Sequence, residues 1–190
     1  MTCLEVLDPG HPDAAAPFVP CEFRIQWAGS AWERGQAAQL RRAVFCAEQG
    51  IFPGDDRDAI DAHAITIVAI SQVGGAPDAV VGTVRIHAAE SGVWWGSRLA
   101  VHAAFRRHGR IGASLIRLAV ESAHARGCRR FLAHVQSQNV PLFERLHWRS
   151  LGSEILHGRA HCTMEADLDH YPPCADAYRG FVTRSLVSPP

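Results

Sequence analysis

The stretch from Ser97 to Val120 constrains this chain more than any other. An apolar run, Leu99-Ala100-Val101, ends in a short basic turn, Phe105-Arg106-Arg107-His108-Gly109-Arg110. From Ile111 the residues Leu115, Ile116, Ala119, Val120 and Ala123 recur three and four apart. The pattern predicts a strand, a glycine-bearing turn and an amphipathic helix over about residues 111–126, with Gly127 as its stop. That order aims a helix N-terminus and several backbone N–H groups at one point, which is a phosphate-binding arrangement. The arginines of the turn add positive charge able to reach phosphate oxygens.

The rest of the chain supplies a sheet for that unit. Strands are predicted over residues 21–27, 64–71, 79–89, 93–101, 130–136, 148–156 and 161–168, with helices over 31–49 and 139–146. Residues 1–20 read as an N-terminal arm and 21–168 as one domain. Residues 169–190 read as a C-terminal tail that docks on the domain or crosses to a second copy in a homodimer. The net charge is zero, so bulk electrostatics points to neither nucleic acid nor membrane as a partner. No run approaches a membrane span, and Met1–Pro20 lacks the basic start of a signal peptide. Cys3, Cys21, Cys46, Cys128, Cys162 and Cys174 show no paired spacing, so they are expected to be reduced, in a cytoplasmic protein. No metal site is expected, because His161 and Cys162 point to opposite faces of a strand. All 19 basic residues are arginine, which excludes a lysine nucleophile.

Arg107 to Gly112 resembles the acyl-CoA signature of the GCN5-related N-acetyltransferase (GNAT) superfamily, with Arg107 at its first position and Gly112 at its last. Arg110 stands where the inner glycine is usual, and Gly109 sits one place early. The resemblance implies an α/β (α+β) fold: a mixed, mostly antiparallel sheet of about six to seven strands flanked by helices, with strands 4 and 5 splayed to admit the pantetheine arm. It implies an N-acetyltransferase that moves an acetyl group from acetyl-CoA to the amine of a small metabolite by direct attack. Leu99, Ala100, Val101, Arg106, Arg107, His108, Gly109, Arg110, Ile111, Gly112, Ala113 and Ser114 would hold the cofactor. The N–H groups of Leu99 and Val101 would face pantetheine and the thioester oxygen, and backbone amides from Arg107 to Gly112 the pyrophosphate.

Asn139 and Phe143 align with a further cofactor-contacting segment. Phe143 occupies the place of the tyrosine that serves as the family's usual acid, so water would protonate the thiolate. A strand-four carboxylate is also absent near Gly96. These two departures favour the alternative of a non-catalytic acyl-CoA sensor or partner subunit. His134 and Glu48 are the candidate bases, His134 because imidazole titrates near neutrality; Glu90 and His102 are weaker ones.

Residues 42–63, Arg42…Phe45…Glu48-Gln49-Gly50 and then Asp55, Asp56, Asp58, Asp61 and His63, resemble a narrower branch that includes acyl-homoserine-lactone synthases. Gly158 to Met164 and the Tyr-Pro-Pro tail resemble bacterial acetyltransferases named for nitrogen starvation. Arg42 and Glu48, on neighbouring helical turns, are expected to support each other, and the acidic loop to fold over a cationic or polar acceptor. Trp95 and His161 complete the expected acceptor site.

Overall fold

The computed structural model describes residues 20–106 and 110–185. The N-terminal arm and Arg107, His108 and Gly109 lie outside the described residues.

The strands are β1 (Glu22–Trp27), β2 (Ile65–Val73), β3 (Ala76–Glu90), β4 (Val93–Val101), β5 (Arg130–Gln136), β6 (Trp148–Leu156), β7 (Arg159–Ala166) and β8 (Phe181–Arg184). The helices are α1 (Ala31–Arg41), α2 (Ile111–His124) and α3 (Val140–Arg145). The strands form one sheet in the order β6-β7-β5-β4-β3-β2-β1-β8. Pairing is antiparallel except between β4 and β5, which are joined through α2 and run parallel. The fold is thus the mixed sheet with flanking helices that the resemblance implies, with one strand more.

That strand lies in the C-terminal segment. Tyr171 is buried, takes a bond from Trp148 Nε1 at 3.1 Å and donates to the Leu146 carbonyl. Phe181–Arg184 then pairs along β1. The segment therefore docks on its own chain.

Each face of the sheet carries a core. On one face, Ile111, Leu115, Leu118, Ala119 and Val120 of α2 pack over Phe23, Ile25, Ile67, Ile86 and Phe131. On the other, Ala37 and Leu40 of α1, with Val44 and Phe45, pack over Val68, Ile70, Val80 and Ala100. A capping box starts α1: Glu33 N–H bonds Ser30 Oγ, and the Glu33 carboxylate accepts from Ser30 N–H.

The helix expected through Gln49 instead stops being α at Arg41 and continues as a π turn over Arg42–Glu48. Gln49 N–H reaches back to the Val44 carbonyl at 2.9 Å. The wider turn rotates the side chains that follow, so Arg42 and Glu48 do not support each other. Arg42 pairs with Asp55 on the surface, and Glu48 pairs with Arg106.

Candidate active site

Pairing between β4 and β5 ends at Gly96 opposite Ala133. Beyond that point β4 runs on to Val101 and β5 to Gln136 without bonding each other. This is the expected splay. Its cause lies partly in β4: the register to β3 slips between Thr83↔Ala100 and Arg85↔Ser97, and Arg98 there adopts φ 56°. Such a bulge bends the strand away from its neighbour. His102 N–H bonds the Val81 carbonyl of β3 at 2.9 Å. Alternation along the ladder then turns the Val101 N–H away from β3, toward the side β5 has left.

A cavity of about 260 Å³ opens in the gap. Leu99, Ile116, Ala119, Asn139 and Phe143 line it on the α2 side. Gln49, Phe52, His134, His157 and His161 line it on the other side. Residues of both cores line it, Ile116 and Ala119 from one face of the sheet and Phe45 from the other.

At the α2 end, Arg110 is the N-cap with φ 51°, left-handed, and its side chain makes no cap. The residue standing in the inner-glycine position of the signature has thus taken a conformation glycine adopts freely. Among the described residues, an added Cβ at Gly112 would meet only Val101 Cγ2, at 4.0 Å, which leaves open space there. The Ile111 and Ala100 side chains are buried in the two cores and do not line the cavity. Ala113 and Ser114 lie in the first turn of α2, and Ser114 N–H already bonds the Arg110 carbonyl at 2.9 Å. Arg106 is engaged elsewhere than expected, donating to the Val101 carbonyl at 3.0 Å and to Glu48.

On the acceptor side, His134 Nδ1 lies 2.8 Å from Glu154 Oε1, and Trp95 stacks on its ring at 4.6 Å. Thr163 Oγ1 donates to the same carboxylate oxygen at 2.5 Å. The Thr163 bond, with His134 beside it, holds the Glu154 carboxyl below its ordinary pKa. An ionised carboxylate only accepts, so Nδ1 carries a proton and neutral His134 has a bare Nε2. His161 Nδ1 lies 2.9 Å from the Arg159 carbonyl and is fixed the same way. Trp95 backs His134 and does not itself line the cavity.

Three expectations change. Glu48 is exposed, lies outside the cavity lining, and is held below its ordinary pKa by the Arg106 bond. Arg42 is likewise outside the cavity, on the surface with Asp55. The acidic loop faces arginines. Asp56 binds Arg41 at 2.8 Å and Arg98 at 3.0 Å, Asp58 binds Arg98 at 3.1 Å and Arg85 at 2.6 Å, and Asp61 binds Arg85 at 2.9 Å and Arg41 at 2.6 Å. The six charges alternate in a closed ring joining α1, β3, β4 and the loop. Burial alone would raise the Asp61 pKa, but Arg41, the Asp58 N–H and Arg85 together hold it far below the carboxylate range.

Sequence reasoning missed Glu154. Its signal is the His157-Gly158 turn, with φ 50° and 71°, which sets Glu154 opposite His161 in a two-residue hairpin. Phe52, His157 and Gln49 were also missed. Arg159 donates to the Gln49 carbonyl at 2.6 Å and Phe52 packs on His157, so the hairpin roofs the cavity only once folded.

No curated protein matches the chain in sequence. The acetyltransferase (GNAT) family pattern matches residues 30–148. Among solved structures, a Lactobacillus plantarum protein named as an N-acetyltransferase is 26% identical, with a TM-score of 0.68 over 76% of this chain and 97% of its own. Escherichia coli ElaA is 19% identical, with a TM-score of 0.64 over 77% and 99%. BjaI, a CoA-dependent acyl-homoserine lactone synthase solved with SAM and isopentyl-CoA, is 18% identical, with a TM-score of 0.60 over 78% and 86%. With more than half its length matched by the family and the splayed cavity in place, the chain belongs to the GNAT acetyltransferases and is an acyl-CoA-dependent N-acyltransferase.

Proposed function

We propose that the chain transfers an acetyl group from acetyl-CoA to the amine of a small metabolite by direct attack, with His134 as the base. The observation that carries this reading is the His134 ring itself. It lines the cavity on the acceptor side, its Nδ1 is taken by Glu154, and its Nε2 is left to accept a proton. Acetyl-CoA, when bound, supplies the activated thioester.

The chain's own part is binding and orientation, worth roughly 7–11 kcal/mol of the barrier when reactants are well placed. The outward turn of the Val101 amide supports a role for it and for Leu99 in hydrogen-bonding pantetheine and the thioester oxygen. The open start of α2 at Gly112 suits the pyrophosphate, and Asn139 lines the cavity beside the arm. Nε2 of His134 takes the proton of the incoming ammonium. Glu154 holds the ring's tautomer and steadies the imidazolium that results, and Trp95 fixes the ring plane. Phe143 offers no proton, so the departing thiolate takes one from solvent.

The test is thiol release from acetyl-CoA over a panel of primary amines, with wild type and His134→Ala. A positioned base contributes typically 10²–10⁴-fold. His134→Ala should therefore lose at least about 10² in kcat while keeping its affinity for acetyl-CoA. Full turnover in that variant would remove the base from His134. Tight acetyl-CoA binding with no transfer to any amine would favour the sensor.

A further inference from the structure

Building on the transferase reading, we infer that the acceptor is a monoamine carried on an apolar body, with no second positive charge. The acids that could have recognised a polycation are spent. Asp56, Asp58 and Asp61 each bind two arginines, and the ring they form with Arg41, Arg85 and Arg98 is neutral, three charges against three. Asp56 and Arg85 are each 2% exposed, and Asp58 and Asp61, which reach solvent, do so with two arginines on each carboxylate.

The cavity lining agrees. Among the described residues no aspartate or glutamate lines it. Its acceptor half is built from Phe45, Ile51, Phe52 and Leu156, with imidazoles and the Gln49 and Gln136 amides as its polar groups. Arg98, at its edge, already covers the Phe52 ring at 4.5 Å, a face that could otherwise hold an ammonium. His134 and His161, each with Nδ1 turned to an oxygen, present Nε2 atoms that can accept from one amine. The imidazoles carry no negative charge, and the Glu154 carboxylate behind His134 is already taken by that ring and by Thr163, so a second cation would stay unpaired, which is costly in such a cavity.

The experiment uses the full chain with acetyl-CoA and length-matched pairs of acceptors: alkyl or aryl monoamines against diamines and polyamines. Monoamines should exceed their diamine partners in kcat/KM by about tenfold or more. Calorimetry of the same amines with the CoA-loaded protein gives the same ranking in Kd, and reads the pocket whether or not transfer occurs. Gln49→Glu adds a carboxylate to the lining while keeping an oxygen to accept from Gln136, 3.1 Å away. It should shrink the preference by about tenfold. Diamines bound or acetylated as well as monoamines by wild type would overturn the inference and leave the transferase intact. Monoamines bound selectively but never acetylated would uphold the pocket's selectivity and overturn the transfer chemistry.

Discussion

At the scale of single residues, Glu154 and Arg110 carry the clearest consequences. In the proposed reaction Glu154 acts through His134, which it holds at 2.8 Å, so Glu154→Gln should lower kcat by about tenfold or more and leave the KM for acetyl-CoA unchanged. It should also change the His134 ring nitrogen shifts in an NMR spectrum, because an amide no longer forces the proton onto Nδ1. Arg110 holds a left-handed backbone that costs a non-glycine residue about 1–2 kcal/mol. Arg110→Gly returns that cost less glycine's own chain entropy, about 0.5–1 kcal/mol. Urea unfolding should show a gain of up to about 1 kcal/mol, while the KM for acetyl-CoA rises through loss of the charge. The two residues also differ in legibility. Arg110 was visible as a departure from a motif, because the motif is contiguous. Glu154 was not, because its partners His134 and Thr163 lie on β5 and β7 and meet only when the sheet pairs.

At the scale of elements, β4, β5 and β6 have the boundaries that hydrophobic alternation and their turns predict, since half-buried strands announce themselves by period. The splay is different in kind. It depends on a bulge at Arg98 and on where pairing stops, neither of which periodicity encodes; it entered through the family resemblance. The π turn escaped for a similar reason, since a run of seven residues is too short for its period to be told from that of an α-helix. That turn follows Arg41, the residue that joins the ionic ring, and leaves its neighbour Arg42 to solvent. The ring ties α1, β3, β4 and the loop together, so Asp56→Asn, which takes one of two carboxylate partners from each of Arg41 and Arg98, should cost up to about 3 kcal/mol in chemical denaturation. It should raise the KM for amines as well, since Arg98 borders the cavity. The ring also sets the acid response. The Arg85 bond lowers the Asp58 pKa, and Asp61 is held lower still. Depressed folded values stabilise above the unfolded aspartate value of about 3.9. That stability is fully present at neutral pH and is lost as pH falls below about 4 through the folded values. Unfolding free energy measured against pH should fall most steeply below about 4.

At the scale of the whole molecule, the site and the C-terminal strand sit far apart in the sheet. The cavity opens between β4 and β5, while β8 closes the edge beside β1, with β3, β2 and β1 between it and β4 in the sheet order. The sequence showed a tail that docks or crosses to a partner, and a four-residue edge strand is too short for its alternation to decide between them. What decides is steric fit against β1. Gly180 has φ 56°, and a Cβ placed there would fall 1.8 Å from the Ile25 carbonyl oxygen, a backbone atom that cannot give way. Gly180→Ala must therefore lift the entry to β8 off β1. Hydrogen exchange at the Phe181–Arg184 amides should accelerate markedly, and the melting temperature should fall. The amides flanking the cavity on β4 and β5 should keep their protection, because three paired strands separate them from the change. Acetyl-CoA affinity should likewise be unchanged in the folded variant. A matched loss of affinity would mean that the C-terminal strand is coupled to the splay, and the sheet would then have to be treated as one mechanical unit from β8 to β5.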